Sequence, residues 1–186
     1  MSQLEVVQIP CLSDNYGYLV HDSESKLTAS IDSPALDPIE EALRQNGWVL
    51  THIFNTHHHY DHTGANLELK KRWKCKIIGS EKDSDRIPGL DEGVNDQEIF
   101  SFGNNEVKVF DVSGHTIGHI SFYFPREEKL FCGDALFALG CGRIFEGTPA
   151  QMWESLQKLE KLPEDTKVYC AHEYTLANAN FAVTVE

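Results

Sequence analysis

The stretch Asn55–Asn66, NTHHHYDHTGAN, places four histidines and an aspartate within residues 57–62. A solvated loop draws on Lys, Glu and Ser, and a packed core does not accept so many polar rings without partners. The run follows VLTHIFNT, which reads as a mostly apolar strand, and leads into TGANLELKKRW, which reads as a helix. At a strand end, residues two apart share a face. His57 and His59 therefore point one way, and His58 and Tyr60 the other. Asp61 and His62 follow just before the helical pattern. One strand-to-helix turn can thus present His57, His59, Asp61 and His62 together.

Three more residues of the same chemistry stand far along the chain, each just beyond an apolar strand. They are His115 in VSGHTIGHI, Asp134 in LFCGDALF and His172 in VYCAHEY. Strand ends are where sites are built, because a sheet holds the backbone there. The sum is five imidazoles and two carboxylates. One zinc-like ion takes about four to six ligands, water included, so this set suits two ions. Donors without thiolate favour Zn, Mn or Fe over Cu(I) or a structural zinc. A lone histidine is usually a satisfied polar residue; the H-x-H-x-D-H run with three strand-end donors is what sets these apart. His21 and His52 keep the ordinary reading, and His119 reads as a supporting residue rather than a ligand.

The rest of the chain supplies a mixed α and β scaffold. EVVQIP, YGYLVHD and LTASID read as strands, and DPIEEALRQNG as a helix with Pro38 in its first turn and Gly47 after its last. CKIIGS is a further strand, and EKDSDRIPGLDEG a polar, turn-rich connection. QEIFSFGNNEVKVFDVSG reads as a hairpin turning at Gly103–Asn105. HISFYFPREEKLFCGDAL holds two more strands. TPAQMWESLQKLEKLP is an amphipathic helix with Thr148 as N-cap. TKVYCAHEY is a final strand, and TLANANFAVTVE begins a helix. Strands outnumber helices and the two are interspersed. The expected architecture is α/β of the α+β kind, two sheets with helices packed outside in an αββα sandwich.

Composition bounds the partners. The chain has 186 residues, 41% of them hydrophobic and 24% charged, which suits one globular domain with at most a short appendage. The net charge is −13, and nucleic-acid binding draws on basic patches that neutralise phosphates. The basic run KKRWKCK, residues 70–76, reads as the solvated end of a helix. No apolar run approaches the roughly 20 residues of a bilayer span, and the start reads as a strand rather than a leader. The five cysteines are odd in number and contain no C-x-x-C pair. A disulfide framework is not expected, and a cytoplasmic monomer is. Cys132 and Cys170 read as small core residues, and Cys141 lies in a glycine-rich turn with no base evident beside it.

THHHYDH resembles the H-x-H-x-D-H signature of the metallo-β-lactamase superfamily, and the later Asp and His residues match its remaining motifs in order. Asp32, which ends LTASID, matches the superfamily's early aspartate that supports the metal loop. GCGRIFEGTPAQMWESL and YCAHEYTLANANFA resemble the glyoxalase II family, the hydroxyacylglutathione hydrolases. The likeness runs over essentially the whole chain. It implies one metal on His57, His59 and His115, and a second on Asp61, His62 and His172, with Asp134 bridging. Asp134 and Asp61 are then the residues on which catalysis depends. Arg143 and Tyr174 match positions that hold the glutathione moiety. Phe145 stands where some members carry a tyrosine hydroxyl, so that contact is not expected here. Family members continue into a helical domain. The likeness therefore implies a catalytic domain over residues 1–175, with 176–186 as the start of a truncated helical region.

The implied reaction is hydrolysis of S-D-lactoylglutathione to D-lactate and glutathione. Two divalent ions, zinc foremost with iron or manganese as alternatives, would make hydroxide available at neutral pH, because a metal lowers the pKa of bound water from about 15.7 to about 7. Three other functions share part of this pattern. A persulfide dioxygenase would use one iron, a β-lactamase or lactonase would share the metal loop without GCGRIFEGT, and a glutathione-conjugate binder would lack turnover.

Overall fold

The computed structural model describes residues 4–185. Two sheets face each other. The first contains β1 (Leu4–Cys11), β2 (Asn15–Asp22), β3 (Leu27–Ile31), β4 (His52–Phe54), β5 (Lys76–Ser80) and β6 (Glu92–Val94), neighbours in that order. β1, β2 and β3 are antiparallel, whereas β3 through β6 run parallel. The second sheet is built from β7 (Ile99–Phe102), β8 (Asn105–Asp111), β9 (Ile120–Phe124) and β10 (Lys129–Gly133). A short hairpin of β11 (Leu136–Phe137) and β12 (Gly140–Cys141) stands apart, and β13 (Lys167–Cys170) adds in parallel beside β10. Among the described residues there are five α-helices: α1 (Leu36–Asn46), α2 (Tyr60–Thr63), α3 (Asn66–Trp73), α4 (Pro149–Glu160) and α5 (Thr175–Ala182).

The period-2 alternation of each strand decides the layers. Tyr18, Val20, Phe54, Ile78, Val109, Phe122, Phe124 and Phe131 point between the sheets and form the central core. Their neighbours Leu19, Ile53 and Ile77 point outward against Ile39, Leu43 and Leu69 of α1 and α3. On the far side, Phe110, Tyr123, Leu130 and Cys132 meet Leu159 of α4. Helices on the outside of two packed sheets give the expected αββα order. Two helices carry the punctuation that their sequence announces. Gly47 closes α1 at φ 67, a left-handed conformation that costs glycine little. Thr148 caps α4 in a reciprocal capping box with Gln151. Thr148→Ala is expected to cost about 1 kcal/mol of stability, read as a lowered denaturant midpoint at unchanged slope.

Four local expectations differ from what is observed. The strand read over residues 49–56 shortens to His52–Phe54, because Thr56 turns its N–H to the Asp32 carboxylate. The helix read from Thr63 to Trp73 is two helices, and the first begins earlier, at Tyr60. They part at Gly64–Ala65, where Ser33 exchanges backbone hydrogen bonds with His62 and Ala65. The polar connection hides a strand, β6, which pairs with β5. The final strand ends at Cys170, four residues early, because the chain crosses to β2: Tyr16 N–H donates to the Ala171 carbonyl and Asn15 bridges to His172. Cys132 is fully buried as expected, whereas Cys170 is half-buried. Among the described residues no helix is long and apolar enough to cross a membrane.

Candidate metal centre

All the donors singled out in the sequence converge at one end of the sandwich. His57, Asp61 and His62 follow β4, His115 follows β8, Asp134 directly follows β10, and His172 follows β13. In open parallel sheets ligands bind outside the carboxyl ends of the strands, and β4, β10 and β13 present their ends here. Asp32 stands at the same level, at the end of β3. Its backbone lies in the left-handed region at φ 56, which an aspartate tolerates at a cost. In that conformation its two oxygens accept from Thr56 N–H (2.8 Å), Thr56 hydroxyl (2.9 Å) and His62 Nδ1 (2.8 Å). One carboxylate thereby ties both ends of the histidine-rich turn.

Hydrogen-bond accounting decides which ring nitrogens face inward. The Thr56 hydroxyl spends its proton on Asp32, so it accepts from His57 Nδ1 at 3.0 Å. His115 Nδ1 donates to the Arg143 carbonyl at 2.7 Å, and His172 Nδ1 to Asp14 at 2.9 Å. With Nδ1 engaged outward in His57, His62, His115 and His172, each turns its Nε2 toward the centre, where Asn15 Nδ2 also stands 3.3 Å from that of His172. This is the orientation that outer partners impose on metal-binding imidazoles.

Two donor sets result. His57 Nε2 and His115 Nε2 each lie 3.1 Å from His59 Nδ1. In the second set, His62 Nε2 and His172 Nε2 stand 3.5 and 3.4 Å from the Asp61 carboxylate, and each stands 3.4 Å from Asp134 Oδ1. The other Asp134 oxygen, Oδ2, lies 3.4 Å from His115 Nε2 and so faces the first set. A regular tetrahedron around an ion with ligands at about 2.1 Å has edges of roughly 3.4 Å. The second set has that spacing, and the first is slightly tighter. His62 Nε2 and Asp134 Oδ1 are also buried without a hydrogen-bond partner among the described residues. Buried polar atoms are normally satisfied, and a cation between these atoms would satisfy both.

Electrostatics follows the same division. Burial, with the neighbouring imidazoles next, pushes His57 well below its ordinary value and His59 down to about 4. Burial also pulls on His62 and His172, but carboxylates outweigh it. Asp134 and Asp32 lift His62 to about 9, and Asp134 and Asp61 lift His172 to about 11. Asp134 is held down to about 2: burial opposes this, and His62 and His172 overcome it. Asp61 is lowered likewise by His172 and His62 against burial.

The remaining residues lie around these two sets. His58 faces away and meets Asp83, and Tyr60 is 78% exposed. His119 is buried, stacks on His57 at 4.6 Å, and accepts from the Asp134 backbone N–H, a supporting position. His21 bonds Thr28 and stacks on Trp48, remote from the cluster, and His52 packs against Phe102. A cleft of about 620 Å³ opens over the donors, lined among others by Arg143, Phe145, Tyr174, Phe137 and Asn178. The Phe145 ring packs edge-on to His59 and His115, and the Tyr174 ring stacks on His172 at 5.0 Å. Arg143 is exposed and has no ion-pair partner among the described residues. Sequence reasoning missed Asn15 and Asp14. Asn15 Nδ2 donates to Asp61 at 2.9 Å, and Asp14 orients His172. Asp14 and Asn15 fall between the stretches read as strands, EVVQIP and YGYLVHD, and nothing local in them points to Asp61 or to residues more than 150 positions away.

A family profile described as the metallo-beta-lactamase superfamily matches residues 22–172. Among solved structures, ETHE1 from Myxococcus xanthus superposes with a TM-score of 0.81 at 30% identity, over 92% of this chain and 76% of that one. TTHA1623, solved in a di-iron-bound form, superposes with a TM-score of 0.77 at 25% identity, over 91% of this chain and 92% of that one. The hydroxyacylglutathione hydrolase of Methylococcus capsulatus is 54% identical over 98% of this chain and 72% of its own length. The chain belongs to the metallo-β-lactamase superfamily and, within it, to the hydroxyacylglutathione hydrolase family. That fold and the two donor sets together point to a dinuclear metal centre.

Proposed function

We propose that this chain is a metal-dependent thioester hydrolase that converts S-D-lactoylglutathione to D-lactate and glutathione. The observation that carries the proposal is the pair of donor sets joined by one carboxylate, in a chain 54% identical to a named hydroxyacylglutathione hydrolase. His57, His59, His115 and Asp134 would hold one divalent ion, and Asp61, His62, His172 and Asp134 the other. Zinc suits an imidazole and carboxylate set, with iron or manganese as alternatives. Such ions supply a nucleophile at neutral pH, lowering the pKa of water from about 15.7 to about 7, and polarise a carbonyl.

The chain's own residues do the rest. Asp32, Thr56, Asp14 and the Arg143 carbonyl hold the imidazoles so that their Nε2 atoms face inward. Arg143, unpaired at the cleft mouth, offers a guanidinium fork to a glutathione carboxylate. Tyr174 and Phe145 would form walls over the two donor sets, and Phe145 contributes ring surface but no hydroxyl. In the reaction the C–S bond breaks and a C–O bond forms. Glutathione leaves as a thiolate; an ordinary thiol pKa of about 8.5 makes that a good leaving group, so no dedicated strong acid is required. A one-iron persulfide dioxygenase would need only one donor set, which leaves the spacing of the other without a purpose. Residues 1–175 make up the catalytic domain in this reading, with 176–186 opening a helical region. A net charge of −13 and five free cysteines support a cytoplasmic protein acting on small molecules, alone rather than on nucleic acid.

The test pairs elemental analysis with turnover on one sample. Two equivalents of metal per chain and hydrolysis of lactoylglutathione are expected. One equivalent with full activity would refute the two-ion assignment, and two equivalents without thioester hydrolysis would refute the reaction.

A further inference from the structure

Beside the metal centre lies a second polar cluster that supplies no donor to it. Asp83 is completely buried. It accepts from His58 Nδ1 at 3.1 Å and from the Arg86 guanidinium at 2.5 Å. Arg86 reaches across to Glu146 with Nη1 at 2.5 Å and Nη2 at 3.2 Å. Because a guanidinium only donates, its 3.3 Å contact to His58 Nε2 makes that nitrogen the acceptor. Glu146 in turn accepts the Ile117 backbone N–H at 2.9 Å. Gly118 packs so closely on the Asp83 carboxylate that any Cβ there would overlap it.

The cluster therefore joins four segments of the rim. His58 sits between His57 and His59. Ile117 is two residues beyond His115. Asp83 and Arg86 belong to the polar connection after β5. Glu146 belongs to the loop that carries Arg143 and Phe145. Apart from the Arg86–Glu146 pair, the loop is held mainly through His115: His115 Nδ1 donates to the Arg143 carbonyl at 2.7 Å, Phe145 and Glu146 donate backbone hydrogen bonds to the His115 carbonyl, and Gly147 donates to Gly114. The Arg86 and Glu146 side chains are only 32% and 28% exposed. An ion pair at that depth, bidentate and seated on a buried carboxylate, is worth more than an open surface pair.

We propose that Arg86 and Glu146, seated on Asp83 and His58, are positioning residues for substrate recognition. They hold the Gly142–Gly147 loop, and with it Arg143 and Phe145, in register with the metal cluster. The inference rests on the glutathione thioester reading above. It adds that the specificity loop is set by a salt bridge from an element that touches neither substrate nor donors.

The test compares Glu146→Gln with the unaltered chain. This variant keeps an acceptor for Ile117 and lies at a half-buried position, so folding is expected. Arg86→Lys, which keeps the charge but loses the fork, is the second variant. The prediction for Glu146→Gln is a KM for lactoylglutathione raised about tenfold, with kcat within about twofold and metal content unchanged. Hydrolysis of a simple acyl thioester lacking glutathione should not change. Arg86→Lys should fall between the two, and the double variant should be no worse than Glu146→Gln alone, because the pair acts as a unit. Amide hydrogen exchange at Phe145 and Glu146 should quicken in both variants while β9 stays protected. Parallel loss on both thioesters, or loss of metal, would assign the cluster to the metal centre and overturn the proposal. Unaltered KM with unaltered exchange would also overturn it. Inactivity of the unaltered chain on lactoylglutathione would refute the proposed reaction, and the exchange measurement would still decide whether the salt bridge holds the loop.

Discussion

Asp134→Ala is expected to lower kcat/KM for lactoylglutathione by about three orders of magnitude or more, beyond the 10–100-fold typical of an outer partner of a metal site. Among the described residues, Asp134 is the one with an oxygen toward each donor set, 3.4 Å from His115 on one side and 3.4 Å from both His62 and His172 on the other. Truncation removes a donor from both sets. It also removes a negative charge that His62 and His172 share, so their attraction for a proton or a cation drops together. His119 would lose no bond, since it accepts from the backbone N–H of residue 134, and the local chain path should survive. Elemental analysis of the purified variant should find fewer than two equivalents of metal, and circular dichroism should match the parent. His58→Ala is the comparison, because its ring points away from the donors to Asp83 and Arg86. It should lose far less, and mainly through KM. Equal loss in two folded variants would refute the division between the two faces of the histidine-rich turn.

Metal affinity should rise steeply with pH. In the metal-stripped chain His62 titrates at about 9 and His172 at about 11, so both carry a proton at pH 7. An ion entering the second set must displace both. The first set differs: His57 is pushed well below its ordinary value and His59 to about 4, so it competes with few protons. The second site should therefore gain about 100-fold in affinity per pH unit between pH 6 and 8, and the first should barely change. Stability of the stripped chain has the opposite sign. A raised folded-state pKa contributes stability below the unfolded value, and that contribution is lost as pH rises through the folded one. The stripped chain should thus lose thermal stability as pH rises from about 6.5, the ordinary imidazole value, to about 9 for His62 and on to about 11 for His172, and the loaded chain should not, because metal replaces the protons. Competition with a chelating dye at three pH values and melting curves with and without metal check both statements. Two sites with the same shallow pH dependence would mean that the Asp61, His62 and His172 group is not the proton-laden one.

Much of this was legible in the chain itself, because its signals are local. Short apolar-rich runs in LTASI, KIIGS and ISFYF mark strands, and Thr148-Pro149 and Gly47 mark helix ends. The donors could be named because H-x-H-x-D-H is a local pattern, and the later ones because each follows an apolar strand. The tertiary structure decided everything that depends on distance between segments. The break between α2 and α3 comes from Ser33, about thirty residues earlier. β6 exists because β5 offers a free edge to pair with, although Glu92-Gly93-Val94 has no strand pattern of its own. Asp14 and Asn15 join the centre only because the chain after β13 crosses to β2. The tie between Arg86 and Glu146 spans sixty residues. Local propensity acts over a few residues, whereas a coordination set or a buried ion pair is selected by which side chains the packed sheets bring within 3–4 Å, and no periodicity in a linear sequence encodes that meeting.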